Sequence, residues 1–133
     1  MNKTIIQTWG RRKSAIARAT LFPGKGTVRI NKRALSTFNN HMVRLRIEEP
    51  FLLSGDTVKT LNVDVHVSGG GPSAQADASR LAIARALAQH DKRLHKVFLD
   101  YDRTLTVADT RRKETHKPNR HGKARAKRQK SYR

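Results

Sequence analysis

The chain has 133 residues and contains no cysteine, few aromatic residues and few acidic ones. The absence of cysteine excludes a disulfide framework and any zinc site with cysteine ligands. Apolar residues never run for more than four positions, at 81–84, which is too short for a membrane span or for the core of a signal peptide. We therefore expect a soluble, cytoplasmic protein that contacts no membrane, and the length predicts one small domain.

Acidic residues are outnumbered almost three to one, with 10 Asp and Glu against 29 Lys and Arg, for a formal net charge of +19. A field of this size attracts phosphate polymers and drives their binding through counterion release. The excess of positive charge is greatest at residues 111–133, which contain 11 Lys and Arg, the single acid Glu114 and only three apolar residues. Because such a segment cannot offset its conformational entropy, we expect it to be disordered when free. The composition predicts a globular body at 1–110 and an extended basic tail at 111–133.

Strand patterns dominate the first third of the body and return near its middle. Residues 4–9 are strand-like, and the run 14–22 alternates, with Ala15, Ala17, Ala19 and Leu21 on one face. A turn at 23–26 and a short alternating run at 27–31 predict that 14–31 is a hairpin. The small-residue face should pack against a helix, which leaves Arg18 and Arg29 free to point outward. Residues 59–67 have the clearest period of two and predict a strand with one polar face.

Helical patterns follow these strands. Residues 34–38 and 41–53 predict short helices, and Pro50 should interrupt the second one. The longest helix should begin at Pro72 and end near Gln89, and its apolar residues lie on more than one side, which predicts a central position. A shorter helix is predicted at 92–99. No internal repeat is present, and strands followed by helices indicate an α+β fold.

The triple glycine Gly69–Gly71 precedes the longest predicted helix and has two interpretations. A phosphate loop would need a following Gly-Lys-Ser/Thr or the Gly-x-Gly-x-x-Gly spacing, and neither occurs. The pattern favours a tight turn in which glycine permits positive φ and close backbone approach. RNA backbone lying against that turn is an intermediate alternative.

No motif in the sequence predicts catalysis. The six histidines are scattered, and the chain has no His-Glu-x-x-His, no paired carboxylates at a useful spacing and no Gly-x-Ser-x-Gly turn. Solvated or RNA-facing imidazole is the favoured interpretation of the histidines. We expect no enzyme activity, no cofactor, no metal and no small-molecule substrate.

A series of motifs resembles the universal small-subunit ribosomal protein nine family over almost the whole chain. In chain order these motifs lie at 10–13, 15–19, 24–31, 69–71, 75–80, 83–87, 101–105, 109–112, 124–125 and 129–133. The ending Ser131-Tyr132-Arg133 and the stretch 49–53 are similar to archaeal and eukaryotic cytosolic members. The alanine-rich stretch 76–87 is most similar to archaeal ones.

The resemblance implies an α+β two-layer sandwich like the second domain of small-subunit ribosomal protein five, with a left-handed crossover. It also implies a structural role in the head of the small subunit, with the body on the 3′ major domain of the ribosomal RNA, beside neighbouring head proteins. The tail would thread through RNA towards the anticodon stem-loop of P-site tRNA. Arginine and lysine on such an arm would hold phosphates without reading sequence.

Candidate contact residues follow from the same resemblance. The residues expected to bind ribosomal RNA are Arg11, Arg12, Lys13, Arg18, Arg111, Arg112, Lys123, Arg125, Lys127 and Arg128. The residues expected to contact tRNA are Lys130, Tyr132 and Arg133. Tyr132 is the tail's only aromatic residue, too few for a stacking platform.

Two other classes compete with this interpretation. A DNA-compacting chromosomal protein would share the basic tail and the salt sensitivity, but the body shows no DNA-reading helix and no dimerising hydrophobic seam. Some small-molecule kinases share the implied fold, but they would need a glycine-rich phosphate loop and a catalytic acid. The sequence contains neither.

Overall fold

The computed structural model describes residues 4–125 and 132, and in this part of the chain a five-stranded sheet is packed against helices. The strands are β1 (Ile6–Arg12), β2 (Ala15–Pro23), β3 (Val28–Ile30), β4 (Arg33–Ala34) and β5 (Leu61–Ser68), in the spatial order β1-β2-β5-β3-β4. Neighbouring strands are antiparallel except β3 and β5, which are parallel. The predicted α+β class is therefore confirmed.

The predicted hairpin at 14–31 was wrong, because β5 lies between β2 and β3. The turn after β2 does not fold β3 back onto β2, since its backbone donors bind the start of β5 instead. Gly24 N donates to the Thr60 carbonyl at 2.8 Å, and Lys25 N and Thr27 N both donate to Asn62 Oδ1, at 2.9 and 3.0 Å. The hairpin of this region is β1–β2, and a second one joins β3 to β4.

The helices are α1 (His41–Ser54), α2 (Pro72–His90) and α3 (Lys92–Tyr101). Helix α2 packs on β1, β2 and β5 of the sheet, and α1 and α3 pack against α2. Side-chain caps begin two of them, since Asn40 accepts from Val43 N and Asp91 accepts from Arg93 N. These helices confirm three of the four predicted helical segments. Residues 34–38 form only a 3₁₀ turn at Leu35–Thr37, and further 3₁₀ turns lie at Gly55–Thr60 and Arg103–Leu105.

The expected interruption of α1 at Pro50 was also wrong, because the helix continues through this residue to Ser54. Proline removes one backbone donor and crowds the preceding turn, which destabilises a helix interior. Here Pro50 is buried against the core, and Ser54 Oγ donates to its carbonyl at 2.6 Å. Tertiary packing therefore outweighs the local preference.

The core lies between the sheet and α2, as the alanine pattern predicted. Ala15, Ala17, Ala19 and Leu21 of β2 are buried, as are Leu61, Val63, Val65 and Val67 of β5. Small side chains on both surfaces let helix and sheet approach closely. At Gly10 of β1, an added Cβ would lie 2.3 Å from the Ala78 carbonyl oxygen, so only glycine fits. Alanine and glycine thus set the spacing of the two layers.

The glycine turn before α2 has the conformation that the sequence predicted. Gly69 and Gly70 have φ of +76° and +66°, and a Cβ on Gly69 would lie 2.5 Å from the Ser14 carbonyl oxygen. Gly71 has an ordinary negative φ and open space around it. The first two glycines therefore satisfy a backbone requirement, and the third does not.

The connection between the parallel strands β3 and β5 contains β4 and α1. It is the crossover of the fold, and its left-handed sense stays a prediction. No helix within residues 4–125 is long and apolar enough to cross a membrane.

Candidate nucleic-acid interface

An ion-pair network holds the start of the tail against the body. Arg12 at the end of β1 lies 2.7 Å from Asp109 and 3.7 Å from Asp77 of α2, and Arg46 of α1 lies 2.6 Å from the same Asp77. Asp109 also accepts from the backbone and side chain of Arg111, with Arg111 Nη2 at 2.8 Å. Two helices, an edge strand and the first tail residues therefore meet at one cluster of charges.

The electrostatics of this cluster favour the charged forms of Asp109 and Arg46. Hydrogen bonds from Arg111 hold the pKa of Asp109 well below its ordinary value, and Arg12 adds to the effect. The hydrogen bond that Arg46 donates to Asp77 raises the pKa of Arg46. Asp109 and Arg46 are therefore both charged at neutral pH.

A second, more buried site lies beside it. Arg80 of α2 is 8% exposed, and it lies 2.5 Å from Glu49 and 3.1 Å from Asp102. Arg80 Nη1 also donates to Thr104 Oγ1 at 3.0 Å. Leu105, in the same 3₁₀ turn, is fully buried. The chain that leads to the tail is therefore fastened to the core before it reaches Asp109.

The four predicted contact residues of the body occupy different environments. Arg11 is half-buried, and its Nε donates to the Lys13 carbonyl at 3.1 Å. Lys13 is exposed at the β1–β2 turn with φ of 54°, and Arg18 is exposed on the outer face of the sheet. Arg12 is held by Asp77 and Asp109, with only 20% of its side chain exposed.

The described tail residues 111–123 are all exposed, in agreement with their composition. The chain turns back on itself here: Lys117 N donates to the Lys123 carbonyl at 2.9 Å, and Arg125 makes two hydrogen bonds of 3.2 Å to Glu114. Segment 111–125 is therefore a loop without helix or strand, not a straight arm.

The predicted contact residues of the tail that the structure describes are exposed, and the others lie outside the described residues. Arg111, Arg112, Lys123 and Arg125 are exposed, and the Arg111 side chain retains 79% of its accessible surface although it binds Asp109. Tyr132 is 86% exposed. Four predicted residues lie outside the described part of the chain: Lys127, Arg128, Lys130 and Arg133.

A basic cluster on the outer face of the sheet was only partly anticipated. The alternation of β2 and β3 placed Arg18 and Arg29 outward, and both are exposed. Trp9 and Lys32 join them along one groove, which the sequence did not indicate because the neighbours across strands depend on the β5 insertion. The described residues contain no group of three or more side chains that could hold a metal ion.

Comparison with known proteins gives one consistent answer. A family model described as ribosomal protein S9/S16 matches residues 10–133. The chain is 44% identical over 132 residues to the small ribosomal subunit protein uS9 of Methanococcus vannielii, covering 97% of this chain and 98% of the relative. Identity to the uS9 protein of Methanococcus maripaludis is the same over the same span. The chain belongs to the ribosomal protein S9/S16 family, in its archaeal form.

Proposed function

We propose that this protein binds ribosomal RNA in the head of the small subunit through its body and its basic tail, and that the last residues of the tail contact P-site tRNA. S9 proteins are structural, non-enzymatic constituents of the small ribosomal subunit, which in archaea is a cytoplasmic particle. The charges of this chain and their exposure support the proposed RNA contacts.

One observation supports the proposal most strongly: the family match continues through the tail to residue 133, and the described part of that tail is exposed and basic. Within 111–125 the only acid is Glu114, and hydrogen bonds from Arg125 lower its pKa. Such an arm has little to bind in its own body. RNA phosphates would neutralise it and release counterions.

The ion pairs divide the predicted residues into two roles. Arg12 is occupied by two acids, so we assign it to positioning the start of the tail. Arg112 and Lys123 are exposed and make no ion pair within residues 4–125, which suits them to phosphate contacts. RNA shape and the placement of the body would then supply specificity, because phosphate contacts carry no sequence information.

The first test compares RNA with DNA. The purified protein is titrated against small-subunit ribosomal RNA and against duplex DNA of equal phosphate concentration at matched salt. We expect clear preference for the ribosomal RNA, since its shape is part of the recognition. Equal affinity would favour the DNA-compacting alternative.

The second test measures what the tail contributes. Full-length protein and a chain ending at Thr110 are titrated against ribosomal RNA at several salt concentrations. The slope of log affinity against log salt should fall by about 0.7 to 0.9 for each phosphate that the shortened chain no longer neutralises. Identical slopes would show that the body binds alone.

The third test concerns tRNA. Arg133→Ala should weaken P-site tRNA binding to reconstituted subunits by about 1–3 kcal/mol, the value of one charge-assisted hydrogen bond. Arg133→Lys should recover part of this affinity, because lysine keeps the charge but lacks the planar donor pair. Both variants should enter subunits normally. Equal tRNA affinity in all three proteins would make Arg133 another ribosomal RNA contact.

A further inference from the structure

The outer face of the sheet, opposite the helices, forms an open groove of about 720 Å³ across β1, β2, β5 and β3. We call it the sheet-face groove and define it by Trp9, Ile16, Arg18, Arg29, Lys32 and His66. Its volume is in the range of natural ligand sites. The ion-pair network of the tail shares none of these residues.

Strand register places the groove's functional side chains in rows. Trp9 pairs with Arg18, and Arg18 pairs with His66, so the three lie side by side across three strands. In the adjacent row, Arg29 of β3 pairs with Asp64 of β5. Trp9 and Arg18 therefore project from neighbouring strands, whose backbones lie about 5 Å apart.

Trp9 is held in place although it is exposed. The Arg85 guanidinium lies 5.1 Å from the centroid of the indole ring, and its Nη1 donates to the Trp9 carbonyl at 3.0 Å. Arg85 Nε also donates to the Thr106 carbonyl at 3.2 Å. The indole is thus fixed by a cation–π contact, yet Trp9 is 54% exposed. A preorganised, accessible aromatic ring suits stacking by a planar ligand.

The cations of the groove make no ion pair with any residue that the structure describes. Arg18, Arg29 and Lys32 form no ion pair within residues 4–125, whereas Arg12, Arg46 and Arg80 all do. Asp64 is the acid among the residues that line the groove. Net positive charge beside a fixed indole is complementary to a planar ring that carries a phosphate.

We propose that the sheet-face groove binds an unpaired stretch of RNA, with one base stacked on Trp9 and the adjoining phosphates on Arg18, Arg29 and Lys32. This inference deepens the proposed function and rests on it, since it names the chemical form of RNA that the body binds. A-form duplex keeps its bases stacked on one another and offers none to Trp9. An acidic peptide would satisfy the cations and leave the indole unused.

The test uses the intrinsic fluorescence of the full-length protein, because Trp9 is its only tryptophan. A five-nucleotide single-stranded RNA should quench this fluorescence saturably. A blunt-ended RNA duplex that contains the same sequence, and a glutamate peptide of the same charge, should quench it far less. Equal quenching by all three would overturn the proposal, because general electrostatic attraction would then explain it.

Variants locate the contact. Trp9→Leu should weaken binding of a dye-labelled oligonucleotide by roughly 5- to 100-fold, the range for removal of one stacked base, and Trp9→Phe should retain most of the affinity. Arg18→Gln should weaken binding about 5-fold or more, because one charge-assisted hydrogen bond is removed. The matched control is Lys96→Gln, which removes the same charge from the exposed surface of α3. Equal affinity of Trp9→Leu and Trp9→Phe, or of Arg18→Gln and Lys96→Gln, would overturn the proposal.

Failure of this inference is distinguishable from failure of the proposed function. If the Trp9 and Arg18 variants bind the oligonucleotide like the original protein while ribosomal RNA is still preferred over DNA, only the groove assignment is wrong. If ribosomal RNA is not preferred, the proposed function fails, whatever the fluorescence shows.

Discussion

At the scale of single residues, Gly10 shows how one missing side chain sets the distance between sheet and helix. Gly10→Ala would push a Cβ into the Ala78 carbonyl and the Ala82 amide, at 2.3 and 2.7 Å, and neither backbone group can move alone. We expect a decrease of about 3 kcal/mol in the free energy of unfolding, typical of severe overpacking. Urea denaturation measures it.

The matched control is Gly71→Ser. Gly71 has open space around its Cβ position and an extended backbone at the start of α2, where serine is a good cap. This variant should be as stable as the original protein within about 0.5 kcal/mol. Equal destabilisation at both sites would contradict the close-approach explanation.

Two ion pairs of the same length should contribute differently to the free energy of unfolding, because one is more buried than the other. Arg80–Glu49 and Lys59–Asp56 are both 2.5 Å long, but Arg80 is nearly buried whereas the Lys59 side chain is 78% exposed. Arg80→Gln should lower the free energy of unfolding by about 2–4 kcal/mol, since it leaves Glu49 and Asp102 without their partner. Lys59→Gln should cost less than about 0.5 kcal/mol. Thermal and urea unfolding of both variants test this contrast.

At the scale of elements, Asn31 joins the β3–β4 hairpin to β5. Its Oδ1 accepts from Val67 N at 2.9 Å, its Nδ2 donates to the Val67 carbonyl at 3.1 Å, and its φ is 49°. Asn31→Ala should lower the free energy of unfolding by about 2–3 kcal/mol, because it removes two hydrogen bonds and places alanine in a left-handed backbone conformation. Asn31→Gly should cost about 1 kcal/mol less, because glycine tolerates that backbone.

Urea unfolding measures both free energies. Hydrogen exchange of the Val67 amide reports on its hydrogen bond to Asn31. Faster exchange at Val67 is expected in both variants, since its amide no longer has the Asn31 acceptor. Unchanged exchange there would show that Asn31 does not tie the two elements together.

At the scale of the whole molecule, the body should fold without the tail. A chain ending at Thr110 keeps Leu105, the Arg80 site and the Arg12–Asp109 pair. Almost all of the described residues that this truncation removes are exposed. We expect unchanged circular dichroism, cooperative unfolding and a stability change within about 1 kcal/mol. Absence of the cooperative transition would contradict a body that ends at residue 110.

Acid should destabilise the molecule through its ion-paired aspartates. Burial raises the pKa of Asp102, but hydrogen bonds from Thr104 and Arg80 outweigh this effect, so the pKa lies below its ordinary value of 3.8. A carboxylate with a lowered folded pKa stabilises the fold above the unfolded pKa, and this contribution disappears as the pH falls through the folded pKa. Stability should therefore drop as the pH falls below about 4.

The control is Asp102→Asn, which cannot titrate. The slope of unfolding free energy against pH below about 4 should be smaller in this variant than in the original protein. Urea titrations at several acidic pH values measure it. Identical slopes would show that Asp102 is not among the groups responsible.

Local patterns and composition were enough to predict most secondary-structure elements and the charge distribution of this protein. Alternation in 14–22 and 59–67 identified the buried faces of β2 and β5, because the strand period is local and independent of partners. The excess charge of the tail followed from composition alone. The motif series identified the family without any tertiary information, because it depends only on residue types and their spacing along the chain.

The strand pairing, the continuity of α1 and the composition of the groove depend on long-range contacts. Whether β3 pairs with β2 or with β5 depends on backbone donors at 24–27 that find acceptors more than 30 residues away, which no local pattern encodes. Pro50 stays inside α1 because its buried ring outweighs a local preference. The β1–β2 hairpin places Trp9 beside Arg18, and the β5 insertion adds His66 to that row. The sheet-face groove is therefore complete only once β5 has paired with both β2 and β3, which are distant from it in the chain.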